Sequence, residues 1–387
     1  MNKMRIAQIS TSSTGGAGIA ATRLNDGLRT LDIESTIISP GNNLVNTRSD
    51  FVSKLATLLQ ESATRQLYGI ATPFSISKID RDELIRNFDI LHIHNWYNLL
   101  STQDLKYLGD RTPLIFSMHD ERLLTGGCHM TLGCNGFLEG CRNCPAVVLG
   151  KSTISHVKES ISELLIHLPK FEVVTPSHWM KMQWDLAYPN IGSVSTIIPN
   201  IISHPEATTR KFSSDEILDI IFISANLLTP VKGLRNLISA ITKYDLTSNI
   251  RLHLVGKGVL KSLPKNLDVN VYGQLTPNEV SIVMKNSDLL VVPSLSENSP
   301  NVIAEAQLQG LPVLASNVGG NSELIVHAVT GFLSNPDVDS LGLELRHLLS
   351  KPQFADISIN AFNFARGHWD NARNISSHLE VYRRVIG

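Results

Sequence analysis

The residues able to do chemistry sit in a few short loops. In VVPSLSENSPNVIAEAQLQG, Glu297 lies in a loop and Glu305 eight residues on, within a helical pattern opened by Ser299 as cap and Pro300 in the first turn. A loop and a helix can thus present two carboxylates to one polyhydroxyl ligand at different depths; the plainer alternative is a pair of surface carboxylates. Glu305 is flanked by Val302, Ile303, Ala304, Ala306 and Leu308, so burial is expected there, with a partner such as ribose hydroxyls to offset the cost of an unpaired charge. Lys232-Gly233 precedes an apolar helix. An ammonium beside a helix N-terminus suits a phosphate, although a lone Lys-Gly is as readily a solvated turn. Gly256-Lys257-Gly258 follows another apolar strand. His119-Asp120 follows PLIFSM, where the imidazole can donate to a hydroxyl or a phosphate, or simply be satisfied by nearby backbone. Gly15, Gly16 and Gly18 open a helix after the first strand, letting backbone approach a ligand or merely shaping a turn.

These loops need strands behind them. Apolar runs are expected as strands at Met4–Ser10, Glu34–Ser39, Asp89–His94, Leu114–Met118, Glu172–Thr175 and Ser195–Ile198. A second series comprises Asp219–Ser224, Ile250–Val255, Val269–Tyr272, Asp288–Val292 and Pro312–Ala315. They are near-continuous rather than alternating, as in a parallel sheet covered on both faces. Helix-length segments such as Ala17–Thr30, Leu234–Ile241, Pro277–Lys285 and Val302–Gln309 separate them. The class is α/β, with two doubly wound Rossmann-like domains facing a cleft at the strands' carboxyl ends. The expected division is 1–200, 201–368 and a terminal helix over 369–387 packing back on the N-terminal domain, with a linker near 199–216.

Composition narrows the function. With 387 residues, 34 basic and 35 acidic side chains and a net charge of −1, the chain is no broad polyanion binder, so nucleic acid is disfavoured. At 42% hydrophobic residues it is an ordinary globular protein. No secretory leader or long apolar span is read, which gives a cytoplasmic expectation. Segment Phe51–Tyr68, with Lys54 and Arg65, can form an amphipathic helix resting on a membrane or packing on its own domain.

Taken in order, the Gly-rich loop, His119-Asp120, the Pro199-Asn200 junction, Lys232-Gly233, LVGKG and the Glu297/Glu305 pair resemble the retaining glycosyltransferases of the GT4 type, which adopt the GT-B fold. The resemblance covers nearly the whole chain. It implies a nucleotide-sugar donor (UDP- or GDP-linked), a glycan acceptor, expected to be lipid-linked, and no catalytic metal. It assigns Glu305 to the nucleotide ribose and Glu297, Asn298 and Ser299 to the donor sugar. Lys232 would neutralise the diphosphate, with Gly256, Lys257 and Asn226 nearby. His119 would hydrogen-bond the donor sugar, and Gly16 would approach the phosphate or acceptor. Relatives often carry an arginine where this chain reads Ser224-Ala225-Asn226, so Lys232 works here with Lys257 or with helix N–H groups alone.

Cys128, Cys134, Cys141 and Cys144 form a C-x5-C-x6-C-x2-C run within an insertion spanning 126–145. Four thiolates fit a structural tetrahedral zinc site, with free thiols, disulfides or an iron–sulfur centre as alternatives. The resemblance places such insertions among enzymes of bacterial surface-polysaccharide assembly. Two rivals stand beside the transferase: a nucleotide-sugar epimerase or hydrolase of the same fold, and a non-catalytic glycan- or nucleotide-binding subunit.

Overall fold

Short, nearly all-apolar strands have no face to leave in water, and here they are buried in two parallel sheets layered with helices. The computed structural model describes residues 4–47, 70, 77–147, 150–203, 212, 217–260, 262–350 and 354–387. The elements run β1 (Arg5–Ser10), α1 (Gly15–Thr30), β2 (Glu34–Ile38), β3 (Val45–Thr47), β4 (Ser77–Ile79), α2 (Arg81–Asn87), β5 (Ile90–Asn95), α3 (Thr102–Gly109), β6 (Leu114–Ser117), α4 (Lys151–His167), β7 (Phe171–Thr175), α5 (His178–Ala187) and β8 (Ser195–Ile197). They continue with β9 (Leu218–Asn226), α6 (Leu234–Lys243), β10 (Ile250–Lys257), β11 (Asp268–Gly273), α7 (Pro277–Lys285), β12 (Leu289–Val292), α8 (Asn301–Leu308), β13 (Val313–Ser316), α9 (Asn321–Leu324), β14 (Phe332–Ser334), α10 (Val338–Leu348), α11 (Phe354–His368) and α12 (Asn371–Ile386). Two compact units result, one comprising Met1–Ile201 with Asn371–Gly387, the other Ile202–Asp370.

In the N-terminal unit the six-stranded sheet runs β2-β1-β5-β6-β7-β8, all parallel. One face carries Ala7, Ile9, Leu91, Ile93, Leu114 and Phe116 into a large apolar core. The other packs Ile6, Ile90, Ile115 and Val174 against Leu24 and Leu28 of α1 and Leu379, Tyr382 and Val385 of α12. Arg384 of α12 also donates to the Glu172 carboxylate of β7 at 2.8 Å, tying the chain's last helix to this sheet.

In the C-terminal unit the order is β11-β10-β9-β12-β13-β14, again all parallel. Leu234 and Leu237 of α6 and Leu341 and Leu345 of α10 cover one face. Ile303, Ala304 and Ala306 of α8 and Ala365 of α11 cover the other. The strand order reverses between β9 and β12, and between β1 and β5 in the N-terminal unit. Loops leaving the carboxyl ends on either side of such a reversal splay apart and open a crevice for ligands.

The expected α/β class of two doubly wound Rossmann-like sheets is what the chain adopts. Three strands had no reading in the sequence: the antiparallel β3–β4 pair and the edge strand β14. Each is three residues long, too short to show a period. The second unit's sheet starts at Leu218. Segment Phe51–Tyr68 lies outside the described residues. Among the described residues no helix is long and apolar enough to cross a membrane.

Candidate functional site

At the switch point of the C-terminal unit, β9 leads to Lys232 and β12 leads to Glu297. The two loops are locked together by backbone: Leu295 N–H donates to Val231 C=O at 2.7 Å, and Gly233 lies so close to Pro293 that a Cβ there would stand 1.8 Å from its carbonyl oxygen. Gly233 holds φ +75, a conformation only glycine takes cheaply. Lys232 Nζ donates to Glu297 Oε2 at 2.7 Å, and Ser294 Oγ donates to the same oxygen at 3.0 Å. Glu297 is buried and Lys232 half-buried. Among the described residues Oε1 of Glu297 has no protein donor. The other side of the Glu297 loop is closed by Gly319, where a Cβ would stand 1.7 Å from the Glu297 carbonyl oxygen. That same oxygen accepts Gly320 N–H at 3.2 Å.

Beside this pair, α6 starts from Gly233 with no side-chain cap, leaving its first N–H groups for an anion. Lys257 and Asn226 are register partners at the carboxyl ends of β10 and β9, both exposed. Gly256 fits against Ser224, whose carbonyl oxygen would lie 1.9 Å from an added Cβ.

Two details of the carboxylate loop differ from expectation. Helix α8 begins at Asn301 with Pro300 as its N-cap, so Ser299 stands outside the helix next to the buried Asn298. Glu305 is not buried: it is partly exposed, because α8 buries Ile303, Ala304 and Ala306 and turns position 305 away from them. Apolar neighbours in sequence do not surround a residue on the opposite helix face.

In the N-terminal unit, His119 follows β6 and lines a small recess with His94, Ser117, Asn200 and His378. The carboxyl half of the sheet face under α1 and α12 is polar, and it is wired. His94 Nε2 bonds Gln8 Oε1 at 2.7 Å, and His94 Nδ1 bonds His119 Nε2 at 2.9 Å. Gln8 Nε2 donates to Tyr382 Oη at 3.2 Å and Ser35 Oγ at 3.3 Å. His92 bridges Tyr382 Oη and Ser117 Oγ, each at 2.8 Å. Burial holds all four imidazoles neutral: His92 and His94 lie well below the ordinary range, His378 is pushed down to about 3, and His119 to about 4 against the opposing charge of Asp120.

Asp120 does not orient His119. Its carboxylate takes Arg122 N–H at 2.9 Å and His129 Nδ1 at 3.2 Å, and also pairs with the Arg122 guanidinium. Burial would raise its pKa, but Arg122 and His129 outweigh that and hold it below the usual carboxylate range. In the glycine loop the tight approach belongs to Gly18, where a Cβ would stand 2.2 Å from Ser12 C=O, while Gly16 is exposed with nothing within 4 Å. Gln8, His92, His94, His378 and Ser294 had no functional reading in the sequence, and Tyr382 was read only as part of the packed face of the terminal helix. The signal available was LHIHN, two histidines two apart in an otherwise apolar strand, hence on one buried face.

Among the described residues no three His, Cys, Asp or Glu side chains are placed to hold a metal ion, so the structure lends the zinc expectation no support. All four cysteines are free. Cys128 hydrogen-bonds Cys144, which pushes the Cys128 thiol up and, with N–H groups of Ala146 and Val147, holds Cys144 down. Cys134 accepts Gly136 N–H at 3.4 Å. The other two thiols lie near this pair, since Cys141 and Cys134 also push the Cys128 thiol up.

Residues 208–362 match the family described as glycosyl transferases group 1. An uncharacterized glycosyltransferase of Methanocaldococcus jannaschii is 24% identical over 78% of this chain and 78% of its own. The lipopolysaccharide 1,2-N-acetylglucosaminetransferase of Salmonella typhimurium is 26% identical over 52% of this chain and 59% of its own. The crystal structure of HepE from Anabaena in complex with UDP superposes with a TM-score of 0.62 at 17% identity, covering 98% of this chain and 100% of that one. The fold is thus GT-B, with two Rossmann-like units, and the C-terminal unit carries the group 1 segment.

Proposed function

We propose that this chain, with its glycosyl transferases group 1 segment, is a retaining glycosyltransferase that moves a hexose-type sugar from a UDP- or GDP-sugar to a glycan acceptor. The observation that carries the reading is the Lys232–Glu297 pair at the β9/β12 switch point. Three donors sit on a lysine ammonium, and Glu297 takes one, so two remain for diphosphate oxygens. The uncapped N-terminus of α6 adds further donors at the same corner. Glu297 keeps Oε1 for a sugar hydroxyl, with Asn298 and Ser299 beside it, and the half-exposed Glu305 is assigned to the ribose. We assign Gly256, Lys257 and Asn226 to the nucleotide, and Gly16 to the phosphate or the acceptor.

Breaking the sugar–phosphate bond places charge on the diphosphate as the anomeric carbon becomes oxocarbenium-like. Fixed donors aimed at the leaving oxygen lower that barrier, each typically worth about 10²–10³ in rate. We assign retention to a same-face substitution in which the leaving phosphate takes the acceptor's proton. The Salmonella relative's activity on lipopolysaccharide favours a surface-glycan acceptor, and the Anabaena structure's UDP favours a uridine donor; we further assign the acceptor as lipid-linked and met at the cytoplasmic face of the membrane.

A thermal-shift panel of nucleotide sugars tests the donor, because a ligand of the folded state raises its stability with occupancy. Product analysis with and without a lipid-linked glycan tests the reaction. Turnover without acceptor supports the epimerase or hydrolase reading, and binding without turnover the non-catalytic one.

A further inference from the structure

The recess of the N-terminal unit ends a chain of buried hydrogen bonds whose direction can be followed. Gln8 is fully buried, and both protons of its amide are committed, to Tyr382 Oη and Ser35 Oγ. Its carbonyl oxygen therefore faces His94 Nε2, 2.7 Å away, and an oxygen can only accept. His94 thus carries its proton on Nε2 and offers a bare Nδ1 to His119 Nε2 at 2.9 Å. Being neutral, His119 has one proton, and it goes to that bond. The remaining nitrogen, Nδ1, has no protein partner among the described residues.

We propose that Gln8 and His94 are positioning residues that lock His119 as its Nε2–H tautomer, making the recess an acceptor of a ligand hydroxyl and a poor site for a phosphate oxygen. The proposal rests on the glycosyltransferase reading for the ligand's class, a sugar, but not for the tautomer. His378 lines the same recess, and its Nδ1 is buried without a hydrogen-bond partner, a second nitrogen for which the protein supplies no donor or acceptor. Tyr382, on the same helix as His378, receives one Gln8 proton, so α12 takes part in fixing the amide's direction. His92 repeats the logic in parallel: Tyr382 Oη, already accepting from Gln8, donates to Nδ1 of His92, which donates through Nε2 to Ser117.

The test is the protonation pattern of the His119 ring, read by long-range nitrogen–proton correlation NMR on the full chain labelled at histidine. The expected result is a proton on Nε2 and a bare Nδ1 at neutral pH. Added methyl glucoside or methyl galactoside should then shift Nδ1, while inorganic phosphate and pyrophosphate leave it in place. A proton on Nδ1 would overturn the proposal, and so would a response of Nδ1 to phosphate but not to either glycoside. In Gln8→Met, His119 should populate both tautomers and kcat for transfer should fall about 10–100-fold, by analogy with lost partners that orient metal-bound histidines, with KM for the donor within about twofold. Gln8→Glu keeps an acceptor oxygen for His94 and should retain the single tautomer. An unchanged tautomer and kcat in Gln8→Met also overturns the proposal. If Gln8→Met does not fold, the wild-type spectrum and glycoside titration decide alone. Should the tautomer stand while no nucleotide sugar is turned over, the transferase reading fails and the positioning role survives.

Discussion

Lys232 Nζ and Glu297 Oε2 lie 2.7 Å apart, joining two loops that leave the sheet on opposite sides of its strand reversal. Each side chain fixes the other: the lysine neutralises a buried carboxylate, and the carboxylate holds the ammonium beside the uncapped N-terminus of α6. Lys232→Ala is expected to lower transfer by about 10²-fold or more, as is Glu305→Ala. Combined with Glu297→Gln, Lys232→Ala should cost clearly less than the product of the two single losses, because contacting groups are not independent. A double-mutant cycle on kcat/KM checks this. Full additivity would mean the bond plays no part in turnover, and near-normal activity in both Lys232→Ala and Glu305→Ala would reject the site assignment.

Gly319, beside the Glu297 loop, and Gly16, in the N-terminal unit, should behave oppositely on substitution. At Gly319 an added Cβ would stand 1.7 Å from the Glu297 carbonyl oxygen with φ at +54, and the obstacle is backbone. Gly319→Ala must displace the Glu297 loop, so it should lower both the urea midpoint and transfer. Gly16 sits in the first turn of α1 with nothing within 4 Å of an added Cβ. Gly16→Ala should hold the unfolding free energy measured in urea or raise it by up to about 1 kcal/mol. If Gly16 admits a ligand closely, the same variant loses transfer while gaining stability, a combination that a purely structural glycine does not give.

How far the sequence foretold this depends on whether a signal was local. Continuous apolar strands and the loops after them are local, which is why Lys232 and Glu297 were legible as candidates in the loops at the strands' carboxyl ends, even though nothing in the sequence shows their mutual bond. Glu305 was misjudged for burial because chain neighbours on a helix point in different directions. The histidine network was illegible as a network. His92 and His94 are close in sequence, but their partners Gln8, Ser117, His119 and Tyr382 arrive from three other strands or loops and the final helix. The cysteine run was legible as a cluster in sequence, yet spacing alone does not say whether four sulfurs converge or pair.

The four neutral imidazoles give the N-terminal unit a defined acid sensitivity. His92, His94, His119 and His378 all have folded pKa values below the ordinary 6.5. As pH falls through 6.5 the unfolded chain takes up these protons first, so their contribution is full above about 6.5 and declines toward pH 4. Urea unfolding at pH 7.5 and 5.0 should show a marked loss at the lower pH. His378→Leu removes one of the four sites and also a buried nitrogen without a partner, so it should narrow that loss and raise stability at pH 5.0 more than at pH 7.5. An identical shift at both values would show that His378 is not held neutral.

Glu121 works with the opposite sign. Its side chain is fully buried, and burial pushes its pKa up from an ordinary 4.5 to about 7, against two bonds from Thr131 that favour the charged form. Thr131 N–H donates to Oε2 at 2.6 Å and Thr131 Oγ1 to Oε1 at 3.0 Å. Between pH 4.5 and about 7 the folded protein holds this proton while the unfolded chain has released it. Stability from this group is therefore complete below 4.5 and lost as pH rises through about 7. In the acid range it is outweighed by the four imidazoles; above 6.5, where they no longer change, its slope stands alone. Glu121→Gln stays neutral throughout and keeps an oxygen for one Thr131 donor, while the Thr131 hydroxyl can turn to accept from the new amide. The variant should be more stable than wild type at pH 8, by up to about 3 kcal/mol for a shift of this size, and closely matched at pH 5. Urea denaturation at the two pH values measures it, and a gain as large at pH 5 as at pH 8 would show that the wild-type carboxyl does not titrate in this range.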